Sequence, residues 1–417
     1  MRIRPLSLLG VVRALPMAAA FLGMSMAPVA SQALADHMEI YGSFRVRSGL
    51  NGVGDFEIND KASRIGLRGE LPMGDGLTAF ARVEMGLNII KSLGQLVFSG
   101  DPGFAYGEDQ DAVTTRLGLL GVRTPFGAFS WGKQWSPYYD LGELTDRFNI
   151  FGGEAVGVYN LADGDPSGTG RASSALHYRV SYRVLSFAAQ VQNRSTGGND
   201  QNLADTYGGS VVLSPAEWMT LGVGFNEVRD GVEDPAPDTR EVPEGDQAVV
   251  LGASVDRGRW WVGYTVAWLQ EHEMDDEGRF FSGWGTEIFV AFGPAEAWRL
   301  LGGFNYLTPE NEHPGQYRLA YGLAGVEYNF VNDSRVFLEF KLEGSRDSEG
   351  DRIRKSSSVS GCASTSEGTG VHPAAPRGLL SPLVPQRCNT ALRRMCLTLS
   401  FNHQKLLTRH WQETRAD

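Results

Sequence analysis

The feature that constrains this chain most is a strict alternation of apolar and polar residues, repeated in segments of about ten residues. From Met38 to Val46 every second residue is apolar or glycine, and the residues between them are Glu, Tyr, Ser and Arg. The same alternation runs from Leu77 to Met85. A period of two is that of a β-strand with one apolar and one polar face. The pattern therefore predicts an all-β chain.

Fifteen such strands can be traced, and the connections between them alternate in length. The predicted strands are 38–47, 62–70, 77–85, 113–123, 127–135, 172–181, 184–194, 206–214, 217–228, 247–256, 259–270, 284–292, 297–306, 318–330 and 335–344. Short turns such as 71–76 and 124–127 alternate with long polar connections such as 49–61, 89–112, 136–171 and 271–283. This combination is typical of a transmembrane antiparallel β-barrel. A soluble β-sandwich would explain neither the alternation in length nor the Trp and Tyr residues near strand ends.

A barrel in a membrane needs a further strand. Every backbone N–H and C=O group in hydrocarbon requires a partner, so the sheet must close, and bacterial single-chain barrels have even strand numbers. Sixteen strands are expected, and fifteen are legible. The alternation ends where the last strand is needed, at "RKSSSVSGCASTSE" (354–367).

This loss of pattern is consistent with a change of reading frame. One codon set permitted by residues 353–367, read in a shifted frame, encodes Pro-Glu-Val-Val-Val-Gly-Phe-Gly-Leu-Arg-Leu-His-Phe and then a stop. That is an alternating strand with a terminal phenylalanine. Residues 353–417 are therefore predicted to be an aberrant, disordered, out-of-frame tail; a genuine periplasmic extension is the alternative. As written, the chain is expected to leave two strand edges unpaired and to assemble poorly.

Residues 1–35 are typical of a secretory signal peptide. Arg2, Arg4 and Arg13 supply positive charge, an apolar stretch follows, and Ala33-Leu34-Ala35 is a small-residue cleavage site. The whole chain has 38 basic and 49 acidic residues. Without the signal peptide (three basic) and the segment from Arg354 (nine basic, three acidic), 26 basic and 46 acidic residues remain, a net charge of −20. Such a surface argues against a nucleic-acid partner and favours mild cation preference.

Three segments carry a resemblance to a known family. "SRIGLRGE" (63–70), "GDGLTAFARVE" (74–84) and "TRLGLLGVRTPFGAFSWGKQWSPYYD" (115–140) resemble the Gram-negative general diffusion porins in order and spacing. The resemblance implies a sixteen-stranded, homotrimeric outer-membrane barrel over residues 36–352. It also implies that the third loop, about 136–171, folds inward, so that arginines on the wall face carboxylates on the loop. Contacts with outer-membrane lipid, lipopolysaccharide and the barrel-assembly machinery follow from the same resemblance.

Matched position by position, the resemblance assigns eight residues to the pore constriction: Arg64, Arg68, Glu84, Arg116, Asp146, Glu154, Arg171 and Arg179. In the loop, Asp146 and Glu154 keep two of the family's acids, whereas Ile150 replaces the middle one. The residue types agree with the strand pattern, because Arg64, Arg68 and Arg82 fall on the polar face. An arginine facing lipid at mid-bilayer would cost about 2–4 kcal/mol.

The predicted function is passive diffusion of small hydrophilic solutes and ions through a water-filled channel. No catalytic residue, cofactor or metal site is predicted. "GAFSWGKQ" (127–134) departs from a phosphate-binding loop at Gln134, and "EHEMDDEG" (271–278) lacks the pattern of a calcium loop. Two alternatives stay open: a substrate-specific channel for a sugar or an anion, and an outer-membrane barrel enzyme, which would need an activated serine beside a histidine.

Overall fold

Strands take up most of the residues that this computed structural model describes, namely 37–50, 56–90, 113–193, 204–229, 242–275, 278–311, 315–330, 334–353 and 357–366. The strands are β1 Met38–Leu50, β2 Phe56–Asp60, β3 Ser63–Gly74, β4 Leu77–Leu87, β5 Val113–Thr124, β6 Gly127–Trp135, β7 Arg171–Tyr182, β8 Leu185–Gln192, β9 Thr206–Ala216, β10 Met219–Val228, β11 Gln247–Arg257, β12 Trp260–Met274, β13 Phe280–Ala295, β14 Trp298–Pro309, β15 Leu319–Asn329, β16 Arg335–Glu343 and β17 Ser357–Ser366. A four-residue helix, α1 Tyr139–Gly142, and a 3-10 turn, Ala162–Gly164, lie between β6 and β7. Within these ranges no helix has the length and apolar character that a membrane crossing demands.

The strands form one antiparallel sheet in which neighbours in sequence are neighbours in space. β2 and β3 follow one another along β1, pairing with its residues 46–50 and 38–43 respectively. They therefore act as one strand interrupted at Lys61 and Ala62. At the other end, β17 pairs with β16 on one side and with β1 on the other. Counted this way, the seventeen segments form sixteen strands, as the sequence predicted.

The fifteen strands predicted from alternation are all present. Two long connections are shorter than predicted, because β2 lies within 49–61 and because β12 and β13 extend into 271–283. The prediction that no strand follows residue 344 is wrong for residues 357–366, whose backbone forms β17. The signal peptide and residues 367–417 lie outside the described residues, so the predicted domain boundaries stay predictions.

The outer surface of the sheet is apolar. On β11, Val249 and Leu251 point outward and are exposed, whereas Ala248 and Val250 point inward and are buried. Large apolar side chains exposed at every second position would be unusual on a soluble protein, but a surface that faces lipid requires them. The strands therefore alternate between lipid and lumen along their length.

The buried core lies inside the barrel, between its wall and the long segment after β6. This segment, residues 136–170, is called loop 3 below. Its apolar side chains pack against the inner face of β11–β16 in one cluster, formed by Tyr138, Leu141, Leu144, Ile150, Phe151, Ala155, Val156 and Val158 of the loop and by wall residues that include Val250, Leu269, Leu307, Tyr321 and Phe337. Hydrophobic burial of this kind fixes the loop against one wall of the barrel.

Candidate functional site

Loop 3 approaches the wall so closely that two wall positions must be glycine. Gly263 and Gly285 lie on β12 and β13, and a Cβ at either position would run into the loop backbone, at Leu144 and Ala155 respectively. Glycine permits this approach because it has no side chain. The sequence thus builds a groove in the wall into which the loop backbone fits.

Buried carboxylates of the wall then hold the loop backbone. Glu339 on β16 accepts hydrogen bonds from the N–H groups of Asn149 (2.7 Å) and Ile150 (3.0 Å). Glu287 on β13 accepts one from the Ala155 N–H group (2.7 Å) and one from the Thr145 hydroxyl (2.6 Å). These charge-assisted bonds satisfy backbone donors that would otherwise be buried without partners.

A third attachment lies near the end of β12. The ring of His272 is fully buried, with Nδ1 2.6 Å from Asp246 Oδ1 and Nε2 2.6 Å from the carbonyl oxygen of Gly157. An acceptor on each side of the ring means that both nitrogens can donate, which describes an imidazolium paired with Asp246. Loop 3 is therefore fastened at three places along its length.

The two predicted loop acids lie on this fastened segment, and each has defined partners. Asp146 accepts hydrogen bonds from the hydroxyls of Tyr159 (2.6 Å) and Tyr139 (3.3 Å). Glu154 accepts one from the Tyr321 hydroxyl (2.9 Å) and lies 3.9 Å from Lys341 Nζ. Both carboxylates are thus held in place by aromatic hydroxyls.

The wall that loop 3 leaves uncovered carries a cluster of arginines around one carboxylate. Glu84 on β4 is 2.9 Å from Arg116 Nε, 2.8 Å from Arg82 Nη2 and 3.9 Å from Arg64 Nη1. It also accepts a hydrogen bond from the Tyr41 hydroxyl (2.9 Å). Three guanidinium groups share one carboxylate, so this surface, called the arginine wall below, has excess positive charge.

Three of the predicted constriction arginines have other carboxylate partners. Arg68 pairs with Glu39 (2.7 Å), close to the beginning of β1. Arg179 pairs with Asp140 of α1 (2.7 Å) and Arg171 pairs with Asp163, so both bind the ends of loop 3 to β7. The structure thus pairs Arg64 and Arg116 with Glu84, whereas the other three pair with different carboxylates.

Several residues that the sequence did not reveal belong to the same lumen. Glu287, Glu339 and Lys341 lie on strands whose polar face was recognised, but nothing in the alternation distinguishes a carboxylate that binds a loop from one that faces water. Arg82 was placed on the polar face without a role, and Lys61 lies in a segment predicted to be a connection. Only the pairing of distant strands decides which of these residues meet loop 3 and which belong to the arginine wall.

One carboxyl group of loop 3 has a pKa that differs clearly from its ordinary value. Partial loss of solvation inside the barrel and the neighbouring Asp140 carboxylate raise the pKa of Glu143 to about 7. Its side chain is exposed to the lumen. The charge of the loop therefore changes near neutral pH.

Comparison with known proteins agrees with this architecture. The family model described as Gram-negative porin matches residues 18–344. An outer membrane porin protein OmpD from Citrobacter koseri is 30% identical over 169 residues, covering 39% of this chain and 42% of that protein. Outer membrane protein F from Serratia marcescens is 25% identical over 270 residues, covering 62% and 64% respectively. The chain thus aligns with less than half of the length of the first of these relatives.

Solved structures show the same fold. A Salmonella typhi OmpF structure, a complex with daunomycin, superposes with a TM-score of 0.64 at 18% identity, covering 79% of this chain and 98% of that one. The trimer form of OmpT from Vibrio cholerae superposes with a TM-score of 0.55 at 17% identity, with coverage of 79% and 98%. The matching relatives are outer-membrane proteins of Gram-negative bacteria, and the same location holds for this protein. The chain belongs to the Gram-negative porin family.

Proposed function

We propose that this protein is a general diffusion channel that lets small hydrophilic solutes and ions cross the outer membrane passively. The observation that carries the proposal is the attachment of loop 3 to one inner wall, by the Glu287 and Glu339 carboxylates, with the arginine wall left free. A loop fixed in this way narrows the lumen without filling it. A conducting pathway needs such a water-lined constriction, in which solutes are not bound tightly.

The charges support a transverse field across this constriction. Arg64, Arg82 and Arg116 with Glu84 lie on one side, and Asp146 and Glu154 lie on loop 3. Opposed unit charges about 8 Å apart interact by about 0.5 kcal/mol in water and about 2 kcal/mol at an effective dielectric near 20. Such energies orient a dipolar solute in transit but do not trap it.

The five predicted residues Arg64, Glu84, Arg116, Asp146 and Glu154 are proposed to line the constriction. Arg171 and Arg179 are proposed to attach loop 3 to β7, since each pairs with a loop carboxylate. Arg68 is proposed to border the arginine wall, because it pairs with Glu39 and lies over the same Tyr41 ring as Arg82.

The outer face supports a proposed homotrimer. The exposed large side chains on the described parts of β1–β5 are aliphatic or Phe, with no exposed Trp or Tyr among them. Exposed Trp and Tyr occur from β6 onward: Trp131, Tyr182, Trp218, Trp260, Tyr264, Trp268, Trp284 and Trp298. Trp and Tyr favour the boundary between lipid and water. The sector without them, β1–β5, suits contact with further copies of the chain, whereas the remainder faces lipid and lipopolysaccharide.

The proposal is tested by reconstituting the protein in planar lipid bilayers and measuring conductance in KCl. Conductance that rises linearly with salt concentration, together with uptake of small sugars into liposomes at rates that fall with solute size, is expected. Saturation and block by micromolar sugar or anion would instead favour a substrate-specific channel. Electrically silent bilayers containing folded protein would refute the proposal, and a hydrolytic activity lost on serine substitution would favour the enzyme.

A further inference from the structure

One lysine faces the lumen beside a break in the sheet. β2 ends at Asp60, and two residues later Ala62 adopts a positive φ of 56°. This left-handed conformation is unusual for a residue with a side chain. Lys61 precedes the irregular residue and continues the register of β2 opposite Arg45. Because Ile58 is exposed on the lipid face and successive side chains alternate between faces, Lys61 falls on the lumen face.

The backbone on both sides of the break is firmly held. The Lys61 N–H group donates to the carbonyl oxygen of Arg45 (3.1 Å). The Ser63 N–H group donates to Asp60 Oδ1 (2.9 Å), and the Ser63 hydroxyl, fully buried, accepts from the Arg45 N–H group (2.8 Å). The backbone hydrogen bonds therefore fix the position of Lys61 on the wall.

The charges that act on the Lys61 ammonium belong to both sides of the lumen. Arg47 lies on its own side, and Asp146, Glu154 and Glu339 act from the other. The first two carboxylates belong to loop 3, and the third holds the loop. The Lys61 side chain is half-buried. Lys61 is therefore within electrostatic reach of the loop acids.

Lys61 also differs from the other lysines of the lumen in its partners. Lys341 is buried, lies 3.1 Å from Glu343 and covers the ring of Tyr321. Lys133 is 3.1 Å from Asp165. Within the described part of the chain Lys61 has no carboxylate within 4.0 Å. Among the described residues no ion pair therefore cancels its charge, which leaves it to act on what passes through the lumen.

We propose that Lys61 is a specificity-determining residue of the channel, and that its ammonium raises the passage of anions relative to cations between the arginine wall and loop 3. The inference rests on the proposed function. A lysine suits this role because its point charge sits on a flexible stem and follows a passing solute. A unit charge about 8 Å from a permeating ion in water changes that ion's energy enough for about a twofold effect on its passage. Anions gain and cations lose, so the permeability ratio changes about fourfold.

The test compares reversal potentials in a KCl gradient for the unsubstituted channel and for Lys61→Gln, Lys61→Arg and Arg123→Gln. Arg123 is the matched control, since it loses the same charge from an exposed pair with Glu70 next to the turn after β5. We expect Lys61→Gln to lower the anion-to-cation permeability ratio about fourfold. Lys61→Arg should keep the ratio, and Arg123→Gln should change it far less. Equal shifts for Lys61→Gln and Arg123→Gln would overturn the inference.

A second variant separates local charge from assembly. Lys61→Cys channels, once conducting, are treated with a cationic or an anionic methanethiosulfonate reagent, with the unsubstituted protein as control for its own cysteines. The cationic reagent should restore the original ratio and the anionic one should shift it further towards cations; no response to either overturns the inference. A silent unsubstituted protein would refute the proposed function itself, whereas conducting channels with an unchanged ratio would refute only the role of Lys61.

Discussion

Replacing Gly285 by alanine should push loop 3 off the wall. An added Cβ would lie 2.7 Å from the carbonyl carbon of Ala155, with the oxygen closer still, whereas ordinary contact begins at 3.4 Å. The loop must therefore retreat by well over 0.7 Å, because the nearer oxygen sets the displacement and β13 is held by β12 and β14 on both sides. A retreat of that size takes the 2.7 Å bond from the Ala155 N–H group to Glu287 beyond the limit of a hydrogen bond. Losing that charge-assisted bond costs about 1.5–3 kcal/mol, and overpacking costs about 1–3 kcal/mol.

Single-channel conductance reports the displacement, because a loop moved towards the arginine wall narrows the passage. We expect Gly285→Ala to conduct less than the unsubstituted protein and to show more current noise, with the barrel still formed. Gly302→Ala and Gly322→Ala are the matched controls, since a Cβ at either position meets no atom within 4 Å. Unchanged conductance in Gly285→Ala, or an equal decrease in the controls, would refute the account of loop 3 as a rigid insert seated on glycine.

Three further predictions concern charge and assembly. The Glu143 carboxyl is neutral below and ionised above a midpoint that lies between about 4.3, the ordinary pKa of glutamate, and about 7. Cation preference, read from reversal potentials, should therefore rise with pH through that interval, and Glu143→Gln should abolish the rise. Glu84→Gln leaves Arg64, Arg82 and Arg116 without their shared carboxylate. Anion preference should therefore increase, and the temperature at which the oligomer dissociates on a gel should fall. An unchanged dissociation temperature would contradict the role given to Glu84. Restoring the frame so that residues 354–366 alternate should increase the yield of the heat-modifiable oligomer, and equal yield from both genes would defeat the frame hypothesis.

Strand positions could be predicted from the sequence because the alternation reflects the solvent on each face. Lipid and water impose opposite demands on neighbouring residues, so every strand with both exposures carries the pattern. The break at Lys61 and Ala62 interrupts that periodicity, and β2 was therefore assigned to a connection. Lys61 therefore lies in a segment that the sequence predicts to be a connection, although its register places it on the lumen face of β2.

The constriction was only partly predictable, for a related reason. Position in a strand shows that Arg64 and Arg116 face the lumen, and the loop acids Asp146 and Glu154 follow from the family resemblance. Which arginine meets which carboxylate depends on pairing between distant strands, as the bond from Arg116 to Glu84 illustrates. Arg171 and Arg179 face inward as expected, yet their nearest carboxylates are those of loop 3's own ends.

The last strand shows where reasoning from side chains reaches its limit. Residues 357–366 show no apolar alternation, and on that ground no strand was expected there. Pairing, however, uses backbone groups that every residue other than proline possesses, and this segment contains no proline. Two open edges, of β16 and β1, offer a row of unsatisfied partners at the spacing of a strand, and β17 meets both of them through its backbone. An open sheet can therefore pair with a segment whose side chains do not favour a membrane strand, because pairing satisfies its backbone groups. The positions filled in this way lack the apolar surface that lipid favours. Pairing is consequently a weaker criterion than alternation for a strand that belongs in a membrane, and the frame-restored protein, which alternates in this segment and ends after it, tests that conclusion.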